Sequence, residues 1–258
     1  MKEKYLKVNR KYKEVVDIIK DRIKTNTPFS FTRYGDGEID ILENTNLNDI
    51  KRTVCKWYNY NISMWGELCI LLRQILINSL NDSEFIGLFD NNGVLKNHMT
   101  VGEEWSISKS FLDSYGIIKD FQICDHQLPR SKEIGDIRNF RKILNGNSLH
   151  IISPLSDKLK ANKISNLLNA PISYTTWPMP LDLNQRSELF KKLDEIKENI
   201  VIFGTSIGGK DIGSYLAKNY GKICIDFGAT LDAWAGIQSR PWFRSGGVQE
   251  HCMVYRNK

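Results

Sequence analysis

The sequence predicts an α/β fold, a parallel or mostly parallel sheet with helices on both faces. Three observations predict it. Short apolar runs bounded by turn residues recur along the chain, and such runs fit strands buried on both faces. Segments of helical period separate them, as parallel crossovers require. Near the C-terminus a glycine-rich turn joins an apolar run to a helical segment, the arrangement of a Rossmann-like βαβ unit.

Taken in order, residues 5–23 carry Val15, Val16, Ile18, Ile19 and Ile23 at roughly helical spacing with lysines between them, which reads as a basic amphipathic helix. Residues 28–33 read as a strand, 34–38 as a turn, and 39–42 as the start of a helix, followed by a polar loop at 44–49. A strongly periodic helix is expected over 65–80, and buried strands over 85–88, 121–124 and 149–152. Residues 156–168 read as a helix with Ser156 or Asp157 as cap, 172–175 as a strand, and 177–180 as a loop because two prolines forbid regular pairing. The pattern closes with helix 184–197, strand 199–203, helix 210–219 and strand 222–226. No repeat, low-complexity tract or linker divides the chain, so one domain over residues 1–258 is expected.

Composition narrows the function classes. Of 258 residues, 41% are hydrophobic and 26% charged, as in an ordinary soluble globular protein. The formal charge of +6 gives a weak positive field that suits anionic ligands. It is too diffuse for nucleic acid, which is not expected as a partner. Cys55, Cys69, Cys124, Cys224 and Cys252 show no metal or redox spacing and read as reduced buried thiols of a cytoplasmic protein. No signal peptide or spanning segment is expected. The basic helix offers a second use, peripheral contact with the inner face of a membrane. Nothing in the sequence sets an oligomeric state.

The most informative segment is Arg33-Tyr34-Gly35-Asp36-Gly37-Glu38. Two carboxylates stand two residues apart, with glycines that let the backbone turn sharply and approach a ligand. A hard divalent cation bridges such carboxylates to substrate phosphates. Arg33, at a strand end, could hold a phosphate oxygen or fix one of the acids. A plainer account has Asp36 capping the following helix and Glu38 in solvent.

The second segment is Gly204-Thr205-Ser206-Ile207-Gly208-Gly209-Lys210, between a strand and a helix, with Asp226 and Gly228 ending the next strand. Free N–H groups at such a helix start attract phosphate. The glycines do not follow G-x-G-x-x-G, and no Ser or Thr follows Lys210, so neither the dinucleotide fingerprint nor a P-loop is present. Tight strand–helix packing is the plainer account.

Other candidates stand at expected strand ends. Asp125 and His126 could meet a sugar or move a proton, and Asp232 could bind an acceptor or act as base. His251 could complete a metal shell. Trp177, Trp234 and Trp242 could stack on a base or sugar, although each reads more readily as core. Residues 245–248 read as a loop able to close over a nucleotide.

The string from Phe31 to Glu38 resembles the N-terminal signature of the GT-D-type glycosyltransferases. Asp36 and Glu38 match the Asp-x-Glu pair of that family. The resemblance implies that they bind manganese or magnesium and the diphosphate of a UDP-sugar. It also implies a nucleotide-sugar pocket formed by Arg33, Tyr34, Gly35, Gly37, Gly204, Thr205, Ser206, Gly208, Gly209, Asp226 and Gly228. Ala229 stands where many relatives carry a histidine, a departure from the pattern. The implied activity is metal-dependent transfer of a hexose from a UDP-sugar to a hydroxyl of a glycan, free or lipid- or protein-linked. Asp36, Glu38, Asp125, His126 and Asp232 are the catalytic candidates. A rival class is a nucleotide- or dinucleotide-binding oxidoreductase. It explains the βαβ unit and Asp226, about 20 residues beyond Gly204, but leaves residues 33–38 unexplained. A non-catalytic glycan-assembly partner with the same fold is a third class, and the intact acids argue against it.

Overall fold

The computed structural model describes residues 5–43, 65–88, 107–154, 158–178 and 183–237. Its strands are β1 (Phe29–Arg33), β2 (Phe85–Leu88), β3 (Gln122–Asp125), β4 (Leu149–Ser153), β5 (Ile172–Thr176), β6 (Ile200–Phe203) and β7 (Ile223–Asp226). They form one seven-stranded sheet in the order β3-β2-β1-β7-β6-β4-β5. Every neighbouring pair is parallel. The helices are α1 (Tyr12–Thr25), α2 (Asp36–Glu43), α3 (Trp65–Asp82), α4 (Lys109–Ser114), α5 (Ile137–Leu144), α6 (Lys158–Leu168), α7 (Leu183–Asp194), α8 (Ile212–Tyr220) and α9 (Thr230–Ala235).

Alternation along each strand splits the core into two layers. In β6, Ile200 and Ile202 join a cluster that includes Val15, Phe140, Ile164 and Trp234, so α1, α5, α6 and α9 cover that face. Val201 and Phe203 join the opposite cluster with Ile39, Leu72, Phe111, Leu193 and Leu216, so α2, α3, α4, α7 and α8 cover the other. Central strands β1, β7 and β6 are buried along their whole length, whereas the edge strand β5 is partly exposed. Cys69, Cys124 and Cys224 are buried thiols outside any disulfide, as expected.

Three expectations need correction. The N-terminal helix begins at Tyr12 rather than near residue 5. Residues before it lie along the β3 edge instead. Asn9 and Arg10 amides bond to the Ile123 carbonyl, and the Asn9 side chain both donates to Phe121 O at 2.8 Å and accepts from Ile123 N at 2.8 Å. An asparagine side chain that satisfies backbone groups competes with helix formation. The second correction is that α2 starts at Asp36, so the acid pair lies inside the helix's first turn rather than in the loop before it. The third is that the glycine-rich segment makes a 3-10 turn, Ile207–Gly209, before α8 starts at Ile212. The caps Ser156 and Asp157 and the loop at 44–49 lie outside the described residues. Among the described residues no helix is long and apolar enough to cross a membrane.

Candidate active site

All strands of a parallel sheet point their carboxyl ends to one edge, and ligands bind there. At that edge β1 delivers Arg33, β7 delivers Asp226, and the segment after β6 delivers Lys210. The Asp226 carboxylate accepts from Arg33 N at 3.2 Å and from Lys210 Nζ at 2.7 Å, and lies 3.4 Å from Arg33 Nη2. Lys210 Nζ also donates to Arg33 O at 2.7 Å and stands 3.3 Å from Glu38 Oε1. All four side chains are at least nine-tenths buried. Burial by itself would raise the Asp226 carboxyl, but the Lys210 and Arg33 charges outweigh it and hold the group below the usual carboxylate range.

The carboxylate turn is closed on itself. Gly35 precedes α2 and its carbonyl accepts the first helical bond, from Ile39 N at 3.0 Å. Glu38, at the third helical position, reaches back so that Oε2 accepts from Gly35 N at 3.0 Å. That is one arm of a capping box. A Cβ on Gly35 would sit 3.1 Å from the same oxygen, which explains the glycine. Tyr34 is fully buried, and its hydroxyl donates to Ser79 Oγ at 3.0 Å. Ser79 in turn donates to the Lys210 carbonyl at 3.0 Å. Tyr34 therefore ties the turn to α3 rather than lining a pocket.

The glycine-rich turn is built differently. Ser206 has φ 55° and ψ −163°, a backbone region that glycine normally occupies. Thr205 Oγ1, Ser206 Oγ and Thr230 Oγ1 are buried and have no hydrogen-bond partner among the described residues. Gly209 packs against Thr205, and a Cβ on Gly204 would sit 2.8 Å from Gly228 O. Gly228 has φ 48°, and a Cβ there would overlap Arg33 Nη2. The turns after β1, β6 and β7 thus form one contiguous surface, joined through Arg33, Gly228 and Gly204. Arg33 Nε, buried, has no hydrogen-bond partner among the described residues.

His126 belongs to the same edge, because a Cβ on Gly87 would meet both His126 Cα at 3.0 Å and Arg33 Cγ at 3.2 Å. Burial first, then the positive charges of Arg130 and Arg33, lower the imidazole to about 4 against the pull of Asp125, so the ring is neutral at pH 7. Its Nε2 lies 2.6 Å from the Gln127 amide nitrogen, which can only donate. With Gln127 in that orientation the ring hydrogen is assigned to Nδ1, 3.3 Å from Asp125 Oδ1. Asp232 falls in the first turn of α9. Trp177 and Trp234 are fully buried, and Trp234 Nε1 donates to Gly135 O at 2.9 Å, so both are core rather than stacking platforms. Trp242, His251 and residues 245–248 lie outside the described residues.

Sequence reasoning noted Lys210 only as a failed P-loop lysine and passed over Gly87. A lysine between two glycines and a helix, facing the aspartate that ends the next strand, is the signal that could have found the first.

Of the two acids expected to hold a divalent cation, only the Glu38 side chain is described, and as placed it is not turned toward a metal. Glu38 commits one oxygen to Gly35 and faces Lys210 with the other. The side chain of Asp36 lies outside the described part of the structure. Among the described residues, no group of three or more His, Cys, Asp or Glu side chains gathers as a metal shell would. No step below is routed through a metal.

A wholly parallel α/β sheet with charged and glycine-rich turns along its carboxyl edge, together with the comparisons, defines the chain as a glycosyltransferase. It belongs to the GT-D-like family, whose model, a GT-D fold-like domain, matches residues 10–234. Two solved structures are similar to it. One, described as the highly conserved domain of unknown function 1792 with a distinct glycosyltransferase fold, has TM-score 0.58 and 15% identity over 95% of this chain and 83% of its own. The other, described as a new glycosyltransferase (DUF1792) from Streptococcus sanguinis, has TM-score 0.56 and 14% identity over 94% of this chain and 86% of its own. At that identity the likeness concerns the fold. No curated protein matches the chain.

Proposed function

We propose that this chain transfers a hexose from a UDP-sugar to a hydroxyl of a glycan acceptor, free or linked to lipid or protein. The observation that carries the reading is the contiguous edge formed by Arg33, the first turn of α2, and the turns at Gly204 and Gly228. A nucleoside diphosphate needs cationic and N–H donors beside small residues that allow close approach. Arg33 supplies a guanidinium whose Nε has no partner among the described residues, and the Thr205 and Ser206 hydroxyls supply further polar contacts. In this reading Arg33 stabilises the charge that builds on the departing diphosphate, a preorganised donor aimed at developing charge. The acceptor proton passes to the Asp125–His126 pair, once Gln127 releases His126 Nε2. Asp226 has a different part: it holds Arg33 and Lys210 in place.

The test is a thermal-shift screen of UDP-, GDP-, TDP- and CMP-sugars with and without manganese or magnesium, followed by a transfer assay with the best donor. Ligand binding to the folded state raises its stability by mass action. A UDP-sugar is expected to shift the melting temperature most. Arg33→Gln, which removes the cation aimed at the departing diphosphate, is expected to lower kcat by about a hundredfold or more. A shift by NAD(P) and none by UDP-sugars would defeat the reading in favour of an oxidoreductase.

A further inference from the structure

We propose that Lys210 is a positioning residue of the donor site and the resident counter-cation of Glu38, standing where a divalent metal would otherwise meet that carboxylate. The inference rests on the donor-site reading above. Each hydrogen of the Lys210 ammonium has a direction: Arg33 O at 2.7 Å, Asp226 Oδ2 at 2.7 Å and Glu38 Oε1 at 3.3 Å. The first two fix the ends of β1 and β7, and the third fixes the first turn of α2. The lysine itself is anchored through its own carbonyl, which accepts from Ser79 Oγ at 3.0 Å. With its side chain 7% exposed, it is an interior charge and not a surface lysine reaching in.

The charges decide what the site accepts. Arg33 and Lys210 carry two positive charges, and Asp226 and Glu38 two negative ones. A manganese or magnesium ion needs carboxylate oxygens turned toward it. The Glu38 oxygens are turned toward the Gly35 amide and the ammonium instead. A metal entering beside Glu38 in the absence of nucleotide has to displace the ammonium and stand next to two like charges. The nucleotide-free chain is therefore closed to a metal at Glu38, and Lys210 is what closes it.

The test titrates manganese into the full chain, following free ion by electron paramagnetic resonance. It uses the wild type, Lys210→Met and Lys210→Arg, without nucleotide and then with UDP. Without nucleotide the wild type is expected to leave most of the manganese free. Lys210→Met, which releases Glu38, is expected to bind it about tenfold more tightly. The same variant is expected to raise the KM for the donor about tenfold, more than it lowers kcat, because the turn loses its orientation. Lys210→Arg is expected to recover most of both properties, which a general loss of packing would not predict. Micromolar manganese binding by the nucleotide-free wild type would overturn the proposal. So would a folded Lys210→Met variant unchanged in metal affinity and donor KM. Should Lys210→Met not fold, the wild-type titration alone still decides. Binding of UDP by the wild type is read separately by thermal shift, so failure of the donor reading is distinguishable from failure of the Lys210 assignment.

Discussion

The two strand-to-helix turns at the carboxyl edge of the sheet differ in how their polar groups are spent. The turn after β1 carries the charge, and it spends that charge internally: Glu38 caps its own helix and faces Lys210, while Asp226 holds Arg33. The turn after β6 carries no acid before Lys210, yet it holds a strained serine and two buried hydroxyls without partners among the described residues. The difference teaches that a conspicuous cluster of charges can be scaffolding, while the less conspicuous turn keeps groups in reserve for a ligand. Buried charges persist only when paired, whereas strain and unpartnered polar atoms persist where function requires them.

Asp226→Asn should sharpen the contrast most. It leaves two buried cations with one anion, and breaking a buried pair costs about 3–5 kcal/mol. Urea denaturation should show that loss, and a loss below about 1 kcal/mol would mean the charged turn is not scaffolding. Next comes acid. His126 sits beside Arg33 with its folded pKa lowered to about 4 from 6.5, so the unfolded chain binds the extra proton between those values. The sign follows directly: this stability is present above pH 6.5 and is lost as pH falls toward 4, by about 3 kcal/mol at most. Denaturation at a series of pH values should show the slope, and His126→Gln should flatten it. A smaller effect is expected of Gly228→Ala. It places a methyl on Arg33 at a backbone φ of 48°, so stability should fall by about 1–3 kcal/mol and donor KM should rise. The smallest is Ser206→Gly, which relaxes a φ of 55° and should raise stability by about 1 kcal/mol. Its donor KM should rise as the hydroxyl is lost. If Ser206→Gly destabilises the fold, the second turn is scaffolding too and the comparison fails.

Much of the architecture is legible in the sequence because buried parallel strands are written as uninterrupted apolar runs. Runs such as Ile200–Phe203 and Phe85–Leu88 carry that pattern with no competing helical period. The start of α2 is not legible: Gly35 and Gly37 read as a turn, while Glu38, by reaching back to Gly35, makes a helix start of it. The extended stretch before α1 is hidden for a similar reason, since the side-chain partners of Asn9, Phe121 and Ile123, lie more than a hundred residues away at the start of β3. The site is legible in its residue types and not in their pairings. Arg33, Asp226 and the glycines stand out along the chain, but Arg33 meets Asp226 across 193 residues. Which oxygen faces which nitrogen is decided only in the assembled sheet. His126 is the exception: two strands away from Arg33 in the sheet, it is visible at a strand end from the start.

The position of β7 has a consequence for how the molecule comes into being. The last of the described strands inserts between β1 and β6, at the middle of the sheet. Until the ribosome has released that strand, β1 and β6 have no shared neighbour, and their unpaired apolar edges can recruit other chains. Non-local pairing of this kind is slow to form. Nascent chains stalled before β7 has cleared the ribosome should therefore depend on chaperones and aggregate readily, whereas chains with β7 fully emerged can close the sheet.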